Sequence, residues 1–262
     1  MLRTRIITAV ISLVIIGAVL FILPATLAKL VFAVLILAGA WEWSAFLSFS
    51  SDATRVGYVT LIAALMAAVV WVAPGMFDRI LMFACMWWIV AFIWTFLFPT
   101  PIPVAVRWIC GALVLVPLFV ALLFLYRIDP QMLLFALLIV WAADVGAYFA
   151  GKQFGRVKLA PSISPEKTWE GVIGGLMMVV VLTLAWAGYQ DLSLAVLLPF
   201  CLAVGALSIV GDLTVSMFKR TAGVKDSGTL FPGHGGVLDR IDSVAAAAPL
   251  FALGLLQLEL VT

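Results

Sequence analysis

Asp239 and Asp242 are spaced i, i+3 at the start of an apolar run, a spacing that puts both carboxylates on one face of a helix, as a shared metal requires. Asp212 closes another apolar run, and Lys219, Arg220, Lys225 and Arg240 lie around Gly228, Gly233, Gly235 and Gly236. Glycine lets backbone approach a ligand closely, and backbone N–H groups with Lys and Arg side chains are the usual holders of phosphate oxygens. Carboxylates beside cations suit a metal-bound polyphosphate better than a bare metal or a bare anion: the acids hold Mg²⁺, and Mg²⁺ and the cations hold phosphate. Two plainer readings stand beside this one. Asp239 as N-cap with Asp242 three residues on would cap a helix, and a basic loop can simply set membrane topology and touch anionic headgroups.

Other groups could join the site. His234, the only histidine of the chain, has an ordinary pKa near 6.5; it can donate a hydrogen bond or proton to a leaving phosphate, or bond backbone in its loop. In "SPEKTWEG", Ser164 to Gly171, Lys167 is a phosphate candidate, and Ser164 and Thr168 can donate to a nucleotide. Ser164-Pro165-Glu166 also reads as a helix start with Pro at the first position. Asp144 sits about six residues before the expected cytoplasmic end of its helix, roughly 9 Å deep at 1.5 Å per residue, where an ionisable group points to function. Glu42 in "AWEWSA" can join the site or bond a neighbouring helix, and the structural role is favoured.

The elements that must position these residues are membrane helices. With 11% charged residues and a mean hydropathy of +1.25 over 262 residues, the chain lies far from soluble domains, of which about a quarter is charged. It reads as an all-α polytopic integral membrane protein. A span needs about 20 apolar residues, and nine stretches qualify: Ile6 to Leu23, Leu27 to Leu47, Val56 to Ala73, Ile80 to Phe98, Trp108 to Leu125, Met132 to Ala150, Val172 to Ala187, Leu192 to Val210 and Val244 to Leu260. The first lacks a clear cleavage site and is read as a retained helix, not a secretory signal. Pro24, Pro74-Gly75 and the prolines at 99, 101 and 103 mark turns, since proline removes a helix donor.

With the N-terminus cytoplasmic, twelve Lys and Arg fall inside, and only Lys29, Arg79 and Arg127 outside. That bias supports the nine-span frame. Trp41, Trp43, Trp108 and Trp169 lie near expected helix ends and read as interface anchors. Cys85, Cys110 and Cys201 sit in apolar runs without metal-ligand spacing and read as small buried hydrophobes. No polar linker divides the chain, which is treated as one membrane domain: residues 1–130 form N-terminal helices, and residues 131–262 a catalytic portion. Two longer cytoplasmic segments, 151–171 and 211–242, carry the basic clusters.

The run Ser216, Lys219-Arg220, Lys225-Asp226, Gly228, Pro232, His234-Gly235-Gly236, Asp239-Arg240 and Asp242 resembles the signature of the phosphatidate cytidylyltransferases (CDP-diacylglycerol synthases). The stretch from Trp141 to Gly171, "WAADVGAYFAGKQFGRVKLAPSISPEKTWEG", is similar to the same family. Together they cover roughly 100 residues of the C-terminal portion; the N-terminal half resembles the family only in being hydrophobic and helical.

The resemblance implies transfer of CMP from CTP to phosphatidate, giving CDP-diacylglycerol and pyrophosphate in phospholipid biosynthesis, with Mg²⁺ and room for a second cation. Phosphatidate's phosphate is already an anionic nucleophile, so no general base is needed; the task is to neutralise two polyanions that repel at close range. On this expectation Asp212, Asp239 and Asp242 hold Mg²⁺. Lys219, Arg220, Lys225, His234 and Arg240 serve the phosphates and leaving group, and Asp144, Ser164, Lys167, Thr168, Ser216, Asp226, Gly235 and Gly236 bind substrate. The expected setting is a bacterial inner membrane, with the active site on the cytoplasmic side, a homodimer in the bilayer, and no nucleic-acid partner. Two rivals are weighed: a CTP-dependent kinase of a lipid alcohol, and a transporter using intramembrane carboxylates, which would place its polar residues near the bilayer midplane.

Overall fold

A computed structural model describes residues 2–48, 51–190, 193–228 and 235–258. Among the described residues there are nine α-helices: α1 (Leu2–Phe21), α2 (Ala25–Trp43), α3 (Asp52–Trp71), α4 (Phe77–Leu97), α5 (Val104–Ile128), α6 (Pro130–Phe154), α7 (Trp169–Gln190), α8 (Leu194–Thr221) and α9 (Leu238–Gln257). Helices α2 to α8 are long and apolar enough to cross a membrane, and their outward faces are apolar too, with Phe83, Ile93, Phe96 and Met177 all exposed. A surface of that kind suits lipid, which accepts only segments whose backbone polar groups are paired internally. The chain is an all-α, multi-pass membrane protein.

Nine spans were expected; among the described residues nine helices form, and seven of them meet the length and hydropathy requirement. Helix α9 falls outside that set because Asp239, Arg240 and Asp242 crowd its first turns. It is the central post of the bundle, packed against α2, α4, α5, α6 and α8 and buried along most of its length from Leu238 to Leu255. The run Ala245 to Ala248, every member at most 1% exposed, keeps the post thin, and small side chains let helix backbones approach when lipid supplies no hydrophobic drive for association. The same principle joins α6 to α7: a Cβ on Gly146 would stand 2.5 Å from the Gly174 carbonyl, and one on Gly175 would stand 2.6 Å from that of Ala143.

The segment expected to be a loop over residues 151–171 is ordered. Helix α6 runs on to Phe154, then β1 (Lys158–Ala160) and β2 (Ser164–Thr168) form an antiparallel hairpin with Lys158 opposite Thr168. Ser164-Pro165-Glu166 is therefore strand and not a helix start. Helix α7 begins at Trp169, where the Thr168 hydroxyl oxygen accepts the Gly171 amide at 3.1 Å. Trp169 N–H donates to the Val157 carbonyl at 2.9 Å, and the Glu170 carboxylate accepts from the Val157 amide at 3.2 Å, so the hairpin is closed onto the helix at both of its margins. Trp43 also departs from expectation. It is fully buried, donates to the Arg107 carbonyl at 3.0 Å and packs against Phe218 with ring centroids 5.0 Å apart, so it locks α2 to α5 and α8 and does not anchor at an interface. The three cysteines are free, with Cys110 and Cys201 buried.

Candidate active site

Helix α8 extends through Thr221, so Asp212, Ser216, Lys219 and Arg220 are helical and not part of a loop. Steps of three and four residues place Asp212, Ser216 and Lys219 along one stripe. The Ser216 hydroxyl donates to Asp212 Oδ1 at 3.1 Å, and Lys167 of β2 brings its Nζ to 2.6 Å from Asp212 Oδ2. Opposite stands the start of α9. Lys219 Nζ lies 2.8 Å from Asp239 Oδ1 and 4.0 Å from Asp242 Oδ2, and all three side chains are largely withdrawn from solvent.

The close approach of the two helices has a local cause. Gly211, beside Asp212, lies so near α9 that a Cβ there would sit 2.5 Å from the Asp242 carbonyl oxygen and 2.9 Å from the Ala246 Cβ. Any larger residue would push the Asp212 and Asp242 carboxylates apart. Asp242 feels the charges of Asp212, Lys219 and Lys167. Asp144 is exposed on α6, ten residues before the helix ends at Phe154 and thus roughly 15 Å from that end at 1.5 Å per residue, because the helix runs on past the expected limit at Ala150. It lies within Coulombic reach of Asp212, Lys167 and Arg240. The site is thus an alternation of acids and ammonium groups where α6, the hairpin, α8 and α9 converge.

Asp239 also ties the glycine-rich segment to the start of α9. It is not the N-cap of α9; that position is Val237, which has no side-chain cap. Its Oδ1 accepts from Lys219, and its Oδ2 accepts the amides of Ser227 at 3.1 Å and Gly236 at 2.9 Å. Both oxygens are engaged in closing the glycine-rich segment onto the helix start. Gly235 holds φ +76° beside it, a left-handed conformation that glycine adopts without penalty.

Glu42 completes that closure from the N-terminal half. Only 7% exposed, its carboxylate accepts the Ser227 hydroxyl at 3.0 Å and the amides of Val237 at 2.9 Å and Leu238 at 2.7 Å. The amides of Val237 and Leu238 sit at the N-terminus of α9, where the helix leaves donors without intrahelical partners and favours a negative charge. A Cβ on Gly228 would come 2.8 Å from the Glu42 Cδ. The sequence favoured a structural role for Glu42, and the structure gives it one, at the start of α9 and at the Ser227 hydroxyl. An isolated acid in an apolar run was the one signal available.

The remaining expected residues divide. Thr168 is 5% exposed, caps α7 and is hemmed in by Gly151, Gly155 and Gly171, so it holds the hairpin rather than facing a ligand. Arg220 is a tie between segments: Nε donates to the Ile163 carbonyl at 3.0 Å and a terminal nitrogen to Val224 at 3.3 Å. Lys225, Asp226 and Arg240 are exposed. Ser164 is half-buried in β2, paired in register with Ala160. His234, with Pro232 and Gly233, lies outside the described residues.

Among the described residues no three His, Cys, Asp or Glu side chains are grouped as ready metal ligands, and Asp239 is engaged by Lys219 and two amides. The remaining acids, Asp144, Asp212 and Asp242, are hard oxygen donors suited to Mg²⁺. The charge of Asp212 acts on both Asp144 and Asp242. The expected trio, Asp212, Asp239 and Asp242, is arranged around Lys167 and Lys219.

Residues 3–257 match the model of the cytidylyltransferase family. The chain is 41% identical over 261 residues to a phosphatidate cytidylyltransferase of Pseudomonas aeruginosa, covering 96% of each protein. It is 34% identical over 284 residues to one of Haemophilus influenzae, covering 96% of this chain and 98% of the relative. A third, from Staphylococcus aureus, is 48% identical over 127 residues, about half of each chain. A match that runs nearly from end to end takes in the N-terminal helices as well as the acid and lysine cluster, and the chain belongs to the cytidylyltransferase family.

Proposed function

We propose that the chain is a phosphatidate cytidylyltransferase: it joins the phosphate of phosphatidate to the α-phosphorus of CTP, releasing pyrophosphate and forming CDP-diacylglycerol. The observation that carries the reading is the pairing of Lys167 with Asp212 and of Lys219 with Asp239 and Asp242. Each lysine is held by carboxylates, ready to exchange an acid for a phosphate oxygen at little cost in ordering, which is how preorganised charge stabilises developing charge. The nucleophile arrives as an anion, so these residues bind and neutralise; none has to remove a proton.

Lys167 and Lys219, with Lys225 and Arg240 at the exposed rim, meet the phosphates. Asp212 and Asp242, with Asp144 beside them, would hold Mg²⁺, which when bound supplies positive charge to the CTP phosphates. Glu42, Asp239 and Arg220 fix the segments around them. The twelve-to-three distribution of basic residues supports a site on the cytoplasmic face of a bacterial inner membrane, and the family resemblance supports a homodimer. Neither rival gains support. A transporter would spread its acids around the midplane, whereas here Asp212, Asp239 and Asp242 are drawn together by two lysines, and the whole-chain relatives carry a cytidylyltransferase name.

The test is purified protein with phosphatidate, Mg²⁺ and CTP labelled at the α-phosphate, beside Asp242→Asn. Label entering a lipid in the wild type and lost in the variant supports the reading. Label reaching a lipid alcohol only from γ-labelled CTP would replace it with the kinase, and inactivity of folded protein with both labels would return the transporter.

A further inference from the structure

Beside the acid and lysine cluster, α4, the hairpin, α7 and α8 enclose a groove of about 500 Å³, within the range of about 300–1,000 Å³ usual for ligand sites. Its walls are apolar: Phe92 and Phe96 of α4, Leu159 of the hairpin, Leu176 of α7, and Ala206 and Ile209 of α8. The polar groups it contains ask nothing of a ligand. Thr95 donates its hydroxyl to the Phe92 carbonyl at 2.7 Å, and Ser162 is exposed at the hairpin tip. An occupant would therefore be hydrocarbon, since a polar ligand buried here would lose its hydrogen bonds.

The groove is joined to the charged site at three points. Leu213, which lines it, follows Asp212 in the chain; Ile163, which also lines it, gives its carbonyl to Arg220; and the hairpin that walls it carries Lys167. An apolar slot whose wall residue Ile163 is bonded to the Arg220 guanidinium is complementary to an amphiphile with an anionic head. Resting on the function proposed above, we infer that this groove takes an acyl chain of the phosphatidate substrate, with Ala206 and Ile209 setting how much chain fits. Its occupant is the chain of the reacting lipid and not bulk bilayer lipid.

The experiment compares dioleoyl with dihexanoyl phosphatidate, presented in mixed micelles at fixed mole fraction, for wild type, Ala206→Phe, Ile209→Trp and the control Ala203→Phe, which is exposed on α8 outside the groove. Each methylene excluded from apolar contact costs about fourfold in binding, so the two groove variants should lower kcat/KM for dioleoyl phosphatidate by roughly tenfold or more. The KM for CTP and the dihexanoyl value should change little, and Ala203→Phe should resemble wild type. Equal losses on both substrates, no loss on either, or the same loss in Ala203→Phe would overturn the inference. A phosphatidate with a terminal diazirine supplies a readout on unaltered protein: adducts should map to α4 or α8 and be competed by phosphatidate but not by phosphatidylcholine. Equal competition by both lipids would assign the groove to bulk lipid. No labelled lipid from wild type with either substrate would instead overturn the function on which the inference rests.

Discussion

Lys167 Nζ and Asp212 Oδ2 stand 2.6 Å apart, linking a strand of the hairpin to the eighth helix across 45 residues of sequence. Each side chain keeps about a quarter of its surface open, 25% for Lys167 and 28% for Asp212. A contact both short and accessible can be exchanged for a ligand, whereas a sealed ion pair would serve only the fold. Lys167→Ala should thus lower kcat/KM about ten- to a hundredfold, the worth of one charge-assisted bond, mainly through KM, with thermal stability nearly unchanged. Steady-state kinetics beside a thermal melt decides it. A fall in melting temperature with kinetics intact would leave Lys167 a structural tie.

Asp242 and Asp239 should separate in kind. Asp242→Asn keeps the shape and removes the charge, and should cost at least about a hundredfold in kcat while membrane insertion and melting temperature hold. Asp239→Asn removes an oxygen from a carboxylate that serves Lys219 and two amides, and should also destabilise the glycine-rich segment by about 1–3 kcal/mol. Limited proteolysis between Val224 and Leu238 should accelerate in Asp239→Asn and not in Asp242→Asn.

Glu42 is expected to behave as a clasp. Glu42→Gln replaces one acceptor oxygen by an NH₂ that must face amides and a hydroxyl, so donors meet donors at a buried position. The melting temperature should fall, and proteolysis of the same segment should rise, although residue 42 is remote in sequence. Gly236→Ala should produce a similar defect, because its Cβ would collide with the Glu42 carboxylate. Wild-type melting and protease resistance in both variants would dissolve the clasp.

Removing divalent cations should abolish transfer, and Mg²⁺ should restore it. Mn²⁺ binding, followed by its paramagnetic resonance in the absence of substrate, should weaken in Asp212→Asn, Asp242→Asn and Asp144→Asn more than in Asp239→Asn, whose carboxylate is already occupied. Equal weakening in all four would put Asp239 back among the ligands.

Orientation can be read with single cysteines in a background lacking Cys85, Cys110 and Cys201. An impermeant maleimide should label Lys225→Cys only after the cytoplasmic face is opened, and Arg127→Cys from the opposite face; both positions are exposed. The reverse pattern would invert the topology.

The sequence by itself determined the class of the molecule and the roster of its chemistry. Solvation is a property of composition: with so few charges and such long apolar runs, only a helical bundle in lipid satisfies the backbone. The charged residues that survive in such a chain are costly, so Asp144, Asp212, Asp242 and the lysines stand out without coordinates. Tertiary structure alone decided how they divide the work. The spacing of Asp239 and Asp242 on one helical face implied a shared metal; the structure sets Lys219 against both carboxylates, and Asp239 also takes the amides of Ser227 and Gly236, which helical spacing cannot foretell. Thr168 looked like a donor to nucleotide until a hairpin placed it over the start of α7. The bonds from Glu42 to Val237 and Leu238 join residues nearly two hundred positions apart, and local pattern cannot report them, because periodicity records which face of a helix is apolar and not which helix comes to lie against it. That choice was made by backbones close enough to touch at Gly211, Gly146 and the alanines of α9.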